Sequence, residues 1–365
     1  MFRVTWNTLI SATELVKHAR DTLTSRLPTD WKLVERKERR ESRQGPDAVV
    51  EVRAPDGSKA LLLIEAKRNV EPRRVPMVLN EVRRHGTGTP LVASDFLSPR
   101  ARELLAESGA GYADATGNFR LALSKPALFI ETKGADRDPW PDERALKSLK
   151  GRAAGRVVRA VCDLEPPFAV REFAARAGVS PASVSRVLAL LDREAIIERD
   201  GAGVVNRVQK ADLIRRWARE YSLFGSNRAD NFLEPRGIPA LLTKLKRAKF
   251  KCAVTGGLAA SWVSPSAAPS RTVTIFVENI PEAAEAMGLR QAESGTNVIL
   301  VEPFDEVVFE RTRERDGTRF VALSQLCADL LTGAGRDPAE GEELLKRLGD
   351  SGAAPPDLSK RVATR

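Results

Sequence analysis

The run Ala60–Lys67 is apolar through Ile64 and then turns charged at Glu65 and Lys67, an abrupt change for a strand covered on both faces. Side chains alternate along a strand, so Glu65 and Lys67 share one face while Leu62, Ile64 and Ala66 share the other. The preceding run Ala48–Ala54 joins it through Ala54-Pro55-Asp56-Gly57-Ser58, a composition suited to a short hairpin loop. Pairing symmetric about Asp56 sets Arg53 opposite Lys59. Continuing outward with the residue numbers of each pair summing to 112 brings Asp47 opposite Glu65, a register that a bulge would shift. Two opposed carboxylates repel, and with Lys67 beside them they form an oxygen-rich cluster of the kind Mg2+ stabilises.

The elements that must position these groups follow from periodicity. Apolar runs predict strands at Trp31–Glu38, Ala48–Ala54, Ala60–Lys67, Leu91–Ser94 and Phe119–Leu123. Helical spacing predicts helices at Ala12–Ser25, Pro72–Arg84 and Pro99–Ser108. This order is an α/β layout with a mixed sheet. Asp114 and Asn118 lie in a Gly-rich stretch, Ser108–Arg120, open to two readings: a DNA-facing loop, or a strand-to-strand turn in which Asp and Asn bond their own backbone.

Pro46-Asp47, then seventeen residues, then Glu65-Ala66-Lys67 resembles the motif of the PD-(D/E)xK nucleases, and the likeness covers about residues 10–125. The resemblance implies a restriction-endonuclease-like sheet and a Mg2+-dependent DNA endonuclease. It makes Asp47 and Glu65 metal ligands and the Ala66 carbonyl a further ligand. Lys67 becomes the catalytic base or the electrostatic partner of the attacking water. Many members also use a Glu on the first helix, for which Glu14 is the nearest match. Pro55-Asp56 is a second PD, but it stands inside the turn and too near Glu65.

A second pattern begins after residue 150. Val157, Val158, Val161 and Leu164 recur at helical spacing, as do Val170, Phe173, Ala174 and Ala177. Gly178 ends that second helix with a residue free to adopt positive φ. Ser180-Pro181 starts a third, with a capping hydroxyl followed by proline at the first helical position. Val184, Leu188 and Leu191 fall on its inner face, and Ala182, Ser183, Ser185 and Arg186 on its exposed N-terminal part. Ile196–Arg199, the turn Asp200–Gly203 and Val204–Arg207 make a hairpin with Arg199 and Arg207 flanking its tip. This stretch resembles the winged helix-turn-helix domains of bacterial regulators over about 60 residues. The resemblance implies binding to double-stranded DNA through Ser180, Ala182, Ser183, Ser185 and Arg186 on the recognition helix and Arg199 and Arg207 on the wing.

Further on, Cys252–Ser261 predicts a strand, a Gly turn and a helix, with the strand Val273–Val277 after it. With the runs Asn297–Leu300 and Ala328–Thr332, this region resembles the nucleotidyltransferase-like domains joined to winged helices in antitoxins of type IV toxin–antitoxin (abortive infection) systems. The likeness covers about residues 240–348. Active members hold Mg2+ through two carboxylates on the strand after the Gly turn. Here Arg271-Thr-Val-Thr places threonines at those positions, which implies an inactive α/β domain that serves binding or dimerisation. A homodimer and a toxin are the partners this implies. The stretch Arg236–Lys251 carries Lys244, Lys246, Arg247, Lys249 and Lys251 without an acidic residue, either an extension of a DNA footprint or a solvated helix face.

Composition sets the frame. A chain of 365 residues with 42% hydrophobic content can build several cores. The expected domains are 1–135, 144–210 and 223–350, with a polar, proline-containing linker at Gly134–Glu143 and a disordered tail at 351–365. The net charge of +10 and pI near 9.7 favour a polyanionic partner. The absence of a long apolar run or a signal-peptide pattern at the N-terminus predicts a cytoplasmic protein with no membrane contact. Cys162, Cys252 and Cys327 are expected to be core thiols, and two histidines are too few for a histidine-based metal site. Two functional readings follow: a Mg2+-dependent endonuclease targeted by a winged helix, or a non-catalytic transcription regulator or antitoxin-like protein. A pure protein-interaction scaffold is a third.

Overall fold

The computed structural model describes residues 11–36, 45–140, 146, 148–264 and 271–348; the expected tail at 351–365 falls outside them. The chain divides into two compact units, Met1–Arg144 with Arg193–Ala195 and Ala145–Asp192 with Ile196–Arg365. Both are α/β. Among the described residues no helix is long and apolar enough to cross a membrane.

In the first unit the Ser11 hydroxyl accepts the Glu14 N–H while the Glu14 carboxylate accepts the Ser11 N–H, a reciprocal cap. Helix α1 (Ala12–Arg26) then buries Leu15, Val16, Ala19 and Leu23. Strands β1 (Lys32–Glu35), β2 (Ala48–Arg53) and β3 (Lys59–Ala66) form an antiparallel meander. At its second turn Asp56 Oδ1 accepts the Ser58 N–H at 2.8 Å. Pairs run from Arg53↔Lys59 to Ala48↔Ile64 without a shift, the register expected from symmetry about Asp56.

A 3-10 turn, Pro72–Arg74, leads into α2 (Val75–Arg83), followed by β4 (Thr89–Ser94), α3 (Pro99–Glu107), β5 (Gly111–Asp114), β6 (Phe119–Leu123) and β7 (Leu128–Thr132). Strands β3, β4 and β5 are parallel, with α2 and α3 as crossovers, and β6 and β7 return antiparallel. Among the described residues this mixed sheet has the order β1 to β7 in chain order. Helix α1 covers one face together with Val50, Val52, Leu62, Ile64 and Leu91. The other face meets α2 and α3 through Val92 and Tyr112, and Val82 of α2 packs on Val49 and Leu63. That division of Leu62 and Ile64 from Leu63 is the alternation of the pleat.

The second unit opens with three helices, α4 (Arg152–Asp163), α5 (Val170–Ala177) and α6 (Pro181–Arg193), and a hairpin, β8 (Ile197–Arg199) and β9 (Val205–Val208). Helix α7 (Lys210–Ala218) leads on to β10 (Arg228–Leu233), α8 (Ile238–Lys246), β11 (Cys252–Thr255), α9 (Gly256–Val263), β12 (Val273–Val277) and α10 (Ile280–Met287). The chain continues through β13 (Arg290–Gln291), β14 (Val298–Glu302), β15 (Arg313–Arg315), β16 (Thr318–Phe320), α11 (Leu323–Leu331) and α12 (Asp337–Leu348). The order of this second mixed sheet is β13-β10-β14-β12-β11-β16-β15. Sequence patterning places a boundary between residues 210 and 223. In the structure one apolar core runs across that stretch, because α7 buries Leu213, Ile214 and Trp217 within it. The three cysteines are free; Cys162 and Cys327 are buried and Cys252 is half-buried.

Candidate functional site

At the C-terminal end of β3 the predicted cluster assembles. Asp47 lies one residue before β2, and its Oδ2 accepts the N–H of Ala66 at 2.8 Å. Lys67 donates its own N–H to the Ala93 carbonyl of β4, so the N–H and carbonyl of Ala66 face the opposite side, toward Asp47. Glu65 and Lys67 share the α2 face of the sheet, where Lys67 Nζ lies 2.9 Å from Glu65 Oε1 and 3.6 Å from Glu81 Oε2. The hydrogen bond to Glu65 holds the lysine above its usual range; partial burial opposes this, and the charges of Glu65, Glu81 and Asp47 reinforce it.

No motif or spacing in the sequence marks Glu81. It is the one acidic residue of α2, at the margin of the stripe Val75, Val78, Leu79 and Val82 that faces the sheet. Glu14 stands apart from this group. Its carboxylate is bonded to the backbone and hydroxyl of Ser11 at 2.7 and 2.8 Å, and those bonds hold its carboxyl below the usual range. Among the described residues no group of three or more His, Cys, Asp or Glu side chains is placed to hold a metal ion. The β2–β3 hairpin itself offers the Asp47 and Glu65 carboxylates and the Ala66 carbonyl as hard-oxygen donors, and Glu81 approaches from α2.

Asp114 and Asn118 are buried. Asp114 accepts the backbone N–H groups of Thr116, Asn118 and Leu97 and the Asn118 amide. This matches the self-bonding turn rather than an open loop.

On the second unit, Gly178 takes the left-handed conformation that ends α5, and Ser180 Oγ accepts the Ser183 N–H at 3.2 Å to start α6. The hydroxyls of Ser180 and Ser183 are bonded to each other at 3.0 Å. Val184, Val187, Leu188, Leu190 and Leu191 are buried, which leaves Ala182, Ser185 and Arg186 exposed. In the hairpin the two expected cations have local partners. Arg199 Nε donates to the Gly203 carbonyl at 3.1 Å, and Arg207 lies 3.3 Å from Glu198. Asp200 closes the tip by accepting the Val204 and Ala202 N–H groups.

At the β11–α9 turn Gly256 has φ +71, and a Cβ there would meet Thr274 Oγ1 at 3.5 Å. Thr255 pairs with Thr274 in the sheet. The carboxylate nearest this turn in the hydrogen-bond network is Asp329 of α11, which is fully buried and accepts from Thr255 and Tyr221 at 2.6 Å and from Gln325 at 2.7 Å. These donors close it off from a ligand. Within the basic stretch Lys244 is bonded to Glu234 and the Met287 carbonyl, and Lys251 lies 2.9 Å from Glu278. Lys246, Arg247 and Lys249 are exposed.

Comparison with protein-family models, with curated proteins and with solved structures finds no match for this chain.

Proposed function

We propose that this protein binds double-stranded DNA and hydrolyses its phosphodiester bonds in a Mg2+-dependent reaction at Asp47, Glu65 and Lys67. The observation that carries this reading is the meeting of all three side chains at the end of one strand, with Asp47 fixed on the Ala66 N–H and Lys67 on Glu65. In this reading the first unit is a restriction-endonuclease-like domain. Helices α4–α6 with the β8–β9 hairpin form a winged helix-turn-helix that supplies affinity for duplex through α6. The sheet of the second unit, with Thr274 where a metal-binding carboxylate would stand, is a degenerate nucleotidyltransferase-like domain serving dimerisation or contact with a protein partner such as a toxin.

The donor set fits Mg2+, which takes hard oxygen ligands and uses one or two carboxylates while retaining water. Asp47, Glu65 and the Ala66 carbonyl would hold it. Bound there, the ion would acidify a water and offset charge on the phosphate. Asp47 is oriented by the Ala66 N–H, so one of its oxygens is fixed and the other is left to bind. Lys67 bridges Glu65 and Glu81 as a cation, which suits it to donate to a phosphate oxygen or to the attacking water as an electrostatic partner.

Supercoiled and linear DNA incubated with Mg2+ or Mn2+ tests the proposal. Wild-type protein is expected to cleave, and Lys67→Ala and Asp47→Ala to lose on the order of 10²-fold or more in rate. Lack of metal-dependent cleavage by the wild type, or equal cleavage by the variants, refutes it. A non-catalytic regulator or antitoxin-like protein is the second reading. It is favoured by the lack, among the described residues, of a three-carboxylate group.

A further inference from the structure

Between Lys67 and His85 the chain carries six Lys and Arg against two Glu, and both acids already have cationic neighbours. Glu71 bonds Arg73 at 2.9 Å and lies 4.0 Å from Arg74, and Glu81 faces Lys67. The inner face of α2 is apolar, with Val75, Val78, Leu79 and Val82 buried. A period of 3.6 residues puts Met77, Asn80 and Arg84 on the opposite side. All three are exposed, Met77 at 53%. Arg74, 58% exposed, flanks this stripe on the same side as Glu81, and exposed Arg68 directly follows Lys67.

We propose that this outward stripe of α2, with Arg68, Arg74 and Arg84 as its anchors, is a track for a nucleic-acid phosphate backbone running to the Lys67 site. Charge complementarity selects a polyanion as the occupant. Continuity with the cutting site selects the substrate strand, because α2 also carries Glu81, which faces Lys67. The roughly 15 Å of helix between Arg74 and Arg84 matches about four nucleotides of axial rise. Met77 then lies against sugar edges between phosphate contacts. This inference rests on the DNA-cleaving reading above and assigns its substrate a path.

The test measures binding of the full-length chain to a 20-base-pair duplex, without divalent cations, over a series of salt concentrations. Wild type is compared with Arg68→Ala/Arg74→Ala/Arg84→Ala and with the triple Lys replacement at the same positions. Three lost phosphate contacts should flatten the slope of log affinity against log salt by about 2–3, and the Lys triple should keep the wild-type slope because its charge is intact. With Mg2+ present the Ala triple should show a raised KM. Equal slopes for wild type and the Ala triple overturn the track, even where Mg2+-dependent cleavage that Lys67→Ala abolishes leaves the nuclease reading standing. A flattened slope without any cleavage keeps the track and removes the nuclease. Unchanged slopes with an altered oligomeric state on gel filtration assign the stripe to a second copy of the chain and overturn the proposal.

Discussion

Asp329 and Glu51 are both buried carboxylates, and their partners send them in opposite directions. Glu51 is held by the Arg53 and Arg36 guanidiniums, with Lys59 nearby, and its carboxyl falls to about 2. Asp329 is bonded to a phenol, a hydroxyl and an amide, all neutral, and burial pushes it up to about 6. Arg159 contributes only at a distance, and the same burial drives the Tyr221 phenol upward. The folded state therefore retains a proton that the unfolded chain releases between about pH 4 and about 6. Stability falls as pH rises through that window and is flat above it. Denaturant titrations of wild type and Asp329→Asn at several pH values check this. The difference between them should move toward the wild type by up to about 3 kcal/mol from pH 7 to pH 4, and a constant difference contradicts the assignment.

At the scale of elements, the turn between α5 and α6 shows how local chemistry sets a helix boundary. Gly178 sits at φ 63, ψ 35, where a Cβ is disfavoured, and Ser180 then caps α6. Gly178→Ala should cost about 1 kcal/mol, read from the urea midpoint. The new Cβ would also approach Arg156 Nη1 at 3.2 Å, the movable end of a side chain and thus a small addition. Strand β5 illustrates the converse. Gly111-Tyr-Ala-Asp114 has weak strand propensity, and its extended form is imposed by β4 on one side and β6 on the other. Gly111 is required by that fit, since a Cβ would lie 2.9 Å from the Arg120 carbonyl.

Across the second unit the deciding group is Arg159 of α4, fully buried. It donates to Asp163, Ser324, Gln325 and the carbonyls of Val307 and Glu310. The three-helix segment is thereby joined to α11 and to the loop before β15 through a hydrogen-bonded charge as well as an apolar core. Arg159→Ala leaves Asp163 and several carbonyls without this donor and should cost about 3–5 kcal/mol. Because one core runs through the unit, hydrogen exchange should show the loss in α4 and in the β11–β12 strands together. A loss confined to the helices would argue for two independently stable parts.

Legible in the sequence from local rules are the β2–β3 register from a turn centred on Asp56, the meeting of Asp47, Glu65 and Lys67, the spans of α1 and α2, and the inner and outer faces of α6. Each depends on a period or a turn within a few residues. What only tertiary structure decided is the pairing of groups distant in the chain. Glu81 meets Lys67 because α2 packs back on β3. Glu14 is held by Ser11 rather than joining the cluster. Arg159 is buried on a helix whose apolar stripe predicts it outside, because α11 and its neighbours supply acceptors for the guanidinium. Periodicity reports which face of an element is apolar, whereas the fate of a charge depends on the partners that another element brings to it.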